Sequence, residues 1–290
     1  MSGVIRLATR GSRQAVTQAE GVRLSLAHRG FDSELIIVDT HGDRTQSANI
    51  PLHHIGGQGV FTKEVQEAVL DGRADVAVHS AKDLPTDRPA ELLIGAFMAR
   101  RSASDALIGR KLNDLSIGAT IATGSVRRRA QLTEIRPDLN FIELRGNIET
   151  RLQKIPDGGA IVMAIAALEV LDLTAQIAEE LDPNVFVPAV GQGAVALECR
   201  GDDARTVEAL KSINDDVTCT SVTVERAYLG ELGAGCSAPV GAHVVNKSLT
   251  AFLGGAEMNF RSTIELVGDL ERDVEAARTL AVTARSVAGV

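Results

Sequence analysis

The stretch ATGSVRRRAQLTE, residues 122–134, carries the reading of the fold. An apolar run, IGATIAT (117–123), leads into Thr-Gly-Ser, and a helical pattern follows over 126–136. ATRGSRQAVTQAE (8–20) repeats the arrangement, with VIRLAT (4–9) before it and a helical pattern over 12–28 after it. Working outward, ELIIVD (34–39), ADVAVHS (74–80), LLIGAF (92–97), NFIELR (140–145), AIVMAIA (160–166) and AVALECR (194–200) read as strands. Segments 61–71, 147–154 and 203–213 read as helices. Short apolar runs alternating with longer amphipathic ones argue for parallel sheets covered on both faces. The two matching turns suggest a loose duplication of the first two-thirds, although the likeness is short enough to arise by chance.

The 290 residues exceed what one small core needs and point to several domains. FMARRSASD (97–105) and VPAVGQG (187–193) interrupt the alternation and mark crossings. The expected division is a first lobe from 1–97 with 194–214, a second lobe from 98–193, and an α+β domain over 217–290. Two crossings suit two lobes with a cleft between them. The last domain reads as a helix ending at Gly233, three alternating runs near 240–246, 249–254 and 261–267, and a closing helix over 270–287.

Aromatic residues are 3% of the chain, with no Trp, so the cores must be built from Ala, Val, Leu and Ile. A formal net charge of -8 excludes a global basic footprint for nucleic acid. No apolar run approaches the ~18 residues of a membrane span. The start, MSGVIRLATRGSRQ, lacks the apolar centre of a signal peptide. Three cysteines cannot form a complete disulfide framework, and neither they nor the histidines show metal-ligand spacing. A cytoplasmic protein without a metal site is expected.

Any anion site must therefore be a local concentration of cations. Thr123, Gly124 and Ser125 form a strand-to-helix turn, and Arg127, Arg128 and Arg129 occupy the first helical turn. Cations there oppose the helix dipole, and a bound anion would relieve that cost. Arg10 and Ser12 repeat the arrangement, and Arg145, Gly146, Asn147 and Arg151 make a third instance. The competing reading is solvent-facing arginines paired with Glu or Asp. Several arginine forks at equivalent strand ends favour a ligand with several acidic groups. Lys82 and Asp83 follow a buried-strand pattern and should emerge at a sheet's C-terminal edge, where open α/β sheets bind ligands. Asp83 there suits stabilising a developing cation or moving a proton; a loop ion pair is the plainer alternative. Cys236 lies in GAGCSAP (233–239), an uncrowded loop from which a thiol can reach a covalent partner, although a free Cys is more often a small buried hydrophobe. Cys199 and Cys219 read as packing. The loop 41–60 has the length of a lid or of a disordered segment.

Taken together, ATRGS (8–12), GGQGVFTKE (56–64), ADVAVHSAKDLP (74–85), TGSVRRRAQ (123–131), LRGNIETRL (144–152), VGQGAVALECR (190–200) and ERAYLGELGAGCSAPVGA (225–242) closely resemble the porphobilinogen deaminases. The resemblance runs over roughly the first 240 residues. It implies α/β architecture with two periplasmic-binding-protein-like (type II) lobes, mainly parallel mixed sheets, and a small α+β C-terminal domain. It implies a transferase that condenses four porphobilinogen molecules onto a dipyrromethane primer and hydrolyses the product to hydroxymethylbilane, for heme and other tetrapyrroles. It also implies that Cys236 holds the dipyrromethane covalently and that Asp83 is the catalytic acid/base, stabilising the cation left when ammonia departs. Lys82, Ser125, Arg127, Arg128 and Arg145 would grip the cofactor's acidic arms, with Thr123 and Gly146 close by. Arg10, Ser12, Arg145 and Arg151 would take the incoming substrate, with Gln192 near. A monomer is implied.

Two positions depart from the family pattern. Gln58 stands where a lysine is usual, and Val170, beside Glu169, stands where a substrate-site arginine is usual. Two rivals remain at this point. One is a non-catalytic, cytoplasmic two-lobed sensor for a small polycarboxylate. The other is a cysteine hydrolase, for which His243 is the nearest base in sequence but has no motif around it.

Overall fold

The structure is a computed structural model that describes residues 3–40, 59, 61–233, 238–256 and 258–289. The chain forms two compact units, Met1–Arg101 with Ala194–Cys219, and Ser102–Gly193 with Thr220–Val290.

The first unit is built on strands β1 (Ile5–Arg10), β2 (Ser33–Val38), β3 (Val76–Ser80), β4 (Leu92–Phe97) and β10 (Val195–Arg200), in the order β2-β1-β3-β10-β4. β1 runs parallel to β2 and β3, while β10 is antiparallel to both its neighbours. Alternating strand residues serve opposite faces. Leu7, Val76 and Val78 pack with Val22 and Leu26 of helix α1 (Arg13–His28). Ala8 and Ala77 pack with Val65 and Val69 of helix α2 (Lys63–Leu70). Ser12 starts α1 by accepting a hydrogen bond from the Ala15 N–H.

The second unit repeats the plan. Its five-stranded sheet has the order β7 (Asn140–Ile142), β6 (Thr120–Ala122), β8 (Ala160–Ala164), β5 (Asp105–Gly109), β9 (Ile177–Leu181). β6 is parallel to β7 and β8, and β5 is antiparallel to β8 and β9. In both sheets three parallel strands consecutive in the chain lie in the order second-first-third and the fourth place goes to the one reversed strand, which comes last in the chain in the first sheet and first in the second. Ile121 and Val162 pack on one face with Leu132 of helix α3 (Val126–Ile135), and Ala122 and Ile161 pack on the other with Ile148 of helix α4 (Ile148–Leu152).

The expected α/β class therefore holds, with four of five strands in each sheet running one way. Three features differ from the sequence reading. β5 lies partly within a stretch read as a break, and β9 was not read as a strand. β9 is IAEEL, an edge strand whose two glutamates leave no apolar alternation. The apolar run 160–166 ends as strand at Ala164, and helix α5 (Ile165–Glu169) follows.

The second unit also contains an antiparallel three-stranded sheet, β11 (Val240–Val245), β12 (Ser248–Leu253) and β13 (Phe260–Glu265). Helix α6 (Ala204–Lys211) belongs to the first unit, and α7 (Asp216–Leu232) contributes Val224 and Tyr228 to the core under the small sheet. Helix α8 (Leu270–Ala288) adds Ala277, Leu280, Ala281 and Ala284, the spacing of one helical face. Asp269 caps its start and Gly289, at φ 68°, its end.

Candidate active site

In the first unit, β1 and β3 run parallel, so the residues after them emerge at one sheet edge. Arg10 ends β1, and its guanidinium lies 4.1 Å from the centre of the Phe61 ring. Cation–π stacking of this kind holds an arginine fork in one plane. Ser12 caps α1 by accepting the Ala15 N–H. After β3 comes a single 3₁₀ turn, Ala81–Asp83, which presents Lys82 and Asp83 half-buried. The Ser80 hydroxyl donates to Gln18 Oε1 at 3.2 Å and ties this edge to α1. Beneath it, His79 Nε2 and Glu198 Oε2 lie 3.2 Å apart in full burial, and Gln66 donates to the same carboxylate oxygen at 2.7 Å. Burial pushes the Glu198 pKa up, but His79 and Gln66 outweigh it and hold the carboxyl below its usual value.

In the second unit the corresponding edge follows β6, β7 and β8. Thr123 accepts the Ser125 N–H at 3.2 Å, and Ser125 caps α3 by accepting the Arg128 N–H at 3.4 Å. Arg127 and Arg128 are buried, at 4% and 8% exposure. Their first counter-ion is internal: Asp105, fully buried at the start of β5, accepts from Arg127 at 2.7 Å and from Arg128 at 2.7 and 3.1 Å. Burial alone would raise the Asp105 pKa, but the two guanidiniums override it and hold it at about 2. Gln192, between the positive-φ glycines 191 and 193, donates to the same carboxylate at 3.0 Å and to the Ala103 carbonyl at 2.6 Å. Two guanidiniums and one carboxylate leave one positive charge over, at a helix N-terminus where the macrodipole adds to it.

Arg145 follows β7. Its Nε is buried and finds no acceptor among the described residues. Burial lowers the pKa of its guanidinium, and the charge of Glu143 opposes that shift. Gly146 holds φ 118°, and a Cβ there would stand 2.8 Å from Thr150 Cγ2, so this turn requires glycine. The Gly146 carbonyl in turn accepts from Arg151 Nε at 2.7 Å.

Thus Arg10, Ser12, Lys82 and Asp83 share one edge, and Thr123, Ser125, Arg127, Arg128, Arg145, Gly146, Arg151 and Gln192 belong to the other unit. Cys236, Gln58 and most of the loop 41–60 lie outside the described residues. Val170 is buried among Ile148, Leu168 and Leu171, and Glu169 accepts the Ser102 N–H at 3.3 Å. His243 lies 3.5 Å from the buried Glu225 carboxylate, which also accepts the Gly191 and Val244 N–H groups. Sequence reasoning missed Phe61 and Asp105. Phe61 sat inside a quoted motif, GGQGVFTKE, while Asp105 gave no signal in a stretch read only as an interruption.

Fold and site define an α/β protein with one reversed strand in each large sheet and, in its second unit, a buried cluster of two arginines around one aspartate. Comparison with known proteins narrows this. Residues 5–208 match the family model described as porphobilinogen deaminase, dipyromethane cofactor binding domain, and 219–285 match the porphobilinogen deaminase C-terminal domain. The porphobilinogen deaminase of Syntrophotalea carbinolica is 42% identical over 273 residues, covering 91% of this chain and 86% of its own. That of Cutibacterium acnes is 42% identical over 312 residues, covering 97% and 92%. Among solved structures, the methionine-binding protein MetQ aligns with a TM-score of 0.47 at 14% identity, over 74% of this chain and 91% of its own. The chain belongs to the porphobilinogen deaminase family.

Proposed function

We propose that this protein is a hydroxymethylbilane synthase of tetrapyrrole biosynthesis, a transferase that condenses four porphobilinogen molecules onto a dipyrromethane held covalently by Cys236. Each coupling breaks the aminomethyl C–N bond of one porphobilinogen and releases ammonia. A C–C bond forms at the free α-carbon of the terminal pyrrole, which loses a proton. Water finally releases hydroxymethylbilane. The dipyrromethane supplies that first free α-carbon.

The observation that carries this reading is the positive charge left over in the Arg127–Arg128–Asp105 cluster, in a member of this family. Arg127 and Arg128 share a single carboxylate, and Arg145 keeps a buried Nε without an acceptor among the described residues. Such a set fits a ligand that bears several carboxylates. Lys82, Ser125, Arg127, Arg128 and Arg145 hold the acetate and propionate arms of the cofactor, near Thr123 and Gly146. Arg10, Ser12, Arg145 and Arg151, with Gln192, receive the dicarboxylate substrate. Asp83 hydrogen-bonds the pyrrole nitrogen, stabilises the cation formed as ammonia leaves and accepts the α-proton. The protein acts as a monomer in the cytoplasm. A polycarboxylate sensor would leave Asp83 and Cys236 without a task, and family membership does not favour it.

Intact-mass measurement of denatured protein, expressed with porphobilinogen available, tests the reading. A two-pyrrole adduct is expected on the wild type and none on Cys236→Ser. An unmodified wild type that forms no product overturns the assignment.

A further inference from the structure

We propose that Asp105 is a positioning residue for this reaction, fixing the Arg127 and Arg128 forks and reducing their joint charge to one positive unit, matched to a single carboxylate arm. The inference rests on the function proposed above and deepens it.

Two adjacent buried guanidiniums repel each other and keep a fixed geometry only around an anion. Asp105 offers that anion from a strand paired on both sides, so its backbone has little freedom. Its two oxygens take Arg127, Arg128 and Gln192 together. Each guanidinium is tied a second time to a main-chain carbonyl, Arg127 to Val187 at 2.6 Å and Arg128 to Val162 at 2.9 Å. Arg127 also lies over the Phe186 ring, 5.8 Å from its centre. The pair carries about ten N–H donors, of which five are engaged within the described residues. The remaining donors are oriented before any ligand arrives, which is what electrostatic preorganisation requires. A neutral pair would not draw an anion into burial, and a doubly charged pair without Asp105 would splay. One carboxylate against two guanidiniums meets both conditions.

The test compares Asp105→Asn with wild type and with Asp75→Asn. The last breaks a different ion pair, Arg6–Asp75 at 2.7 Å in the first unit. Turnover is normalised to the fraction of folded molecules that carry the two-pyrrole adduct. A purely structural carboxylate changes the folded fraction and leaves this normalised rate alone, as is expected for Asp75→Asn. For Asp105→Asn the normalised rate should fall roughly 10–100-fold, the scale set by misplaced binding groups. A folded variant that no longer acquires the adduct supports the inference equally. Should Asp105→Asn not fold, Asp105→Glu keeps the charge, displaces both forks by one methylene and should show the same loss. A wild-type normalised rate in either folded variant overturns the inference while leaving the functional assignment intact. Failure of both variants to fold also overturns it, because Asp105 then serves stability alone. Absence of adduct and product in the wild type overturns the functional assignment instead.

Discussion

The two five-stranded sheets share one pattern of strand directions, and each places a buried carboxylate on its reversed strand, yet the carboxylates meet different company. Glu198 on β10 faces the imidazole of His79 and the neutral amide of Gln66. Asp105 on β5 faces two arginines that stay protonated, plus Gln192. The first arrangement contains no guanidinium. The second sets two guanidiniums against one carboxylate, and it retains positive charge for a ligand. A shared backbone plan therefore does not specify shared electrostatics, which depend on a handful of side chains at the strand ends.

The largest expected effect separates chemistry from binding. Asp83→Ala should fold as wild type and lose at least ~10²-fold in product formation, a typical contribution of acid–base catalysis. Normal turnover in a product assay would remove Asp83 from its role and leave the first unit without a chemical function.

Next comes the contrast between the carboxylates themselves. Asp105→Asn leaves two guanidiniums facing a neutral amide in full burial and should cost about 3–5 kcal/mol in urea unfolding. Glu198→Gln should cost about 1 kcal/mol, because it leaves no fixed cation facing a neutral amide and loses one hydrogen-bond acceptor for Gln66. Equal losses would break the comparison.

Acid titration sharpens the same point. Asp105 has a pKa of about 2 in the folded chain, against about 3.9 when unfolded. The stability this provides is fully present above the unfolded value and is lost as pH falls through the folded one. The loss amounts to about 2–3 kcal/mol between about pH 4 and 2. Glu198, also depressed, acts in the same direction. The Asp105 share of the acid slope should vanish in Asp105→Asn, as read from urea midpoints across that range.

The smallest effect tests the similarity rather than the difference. Ser12 and Ser125 cap α1 and α3 through hydrogen bonds of 3.3 and 3.4 Å. Replacing either with Ala should cost about 1 kcal/mol, and the two losses should agree closely.

Much of this was legible in the sequence because it rests on local signals. Strand-to-helix turns with Thr, Gly and Ser appear directly in ATRGS and ATGS, and they are where the caps lie. The motifs around Asp83, Arg127, Arg128 and Arg145 marked the strand ends correctly. What could not be read was pairing across long separations. Nothing local says that Asp105, followed by Ala-Leu-Ile-Gly, meets arginines more than twenty residues later, or that IAEEL pairs as an edge strand. Of the two readings of Arg127 and Arg128, a bound anion or an acidic side chain, the described residues show the second, Asp105, and in burial rather than facing solvent. Val170 looked like a missing arginine and is a core residue, a distinction visible only once Ile148 and Leu171 are placed around it.

The reversed strand has a consequence for how the chain is made. Among the described residues β4 pairs only with β10, and β10 lies about a hundred residues downstream. At ~5–20 residues per second on the ribosome, roughly 5–20 s separate the two strands. The second unit's five-stranded sheet, complete with β9 at Leu181, closes before the first unit's sheet can. Throughout that interval β3 and β4 each expose an unpaired edge, the kind of surface that recruits chaperones or neighbouring chains. Of the two five-stranded sheets, the one that begins the chain is thus the later to close.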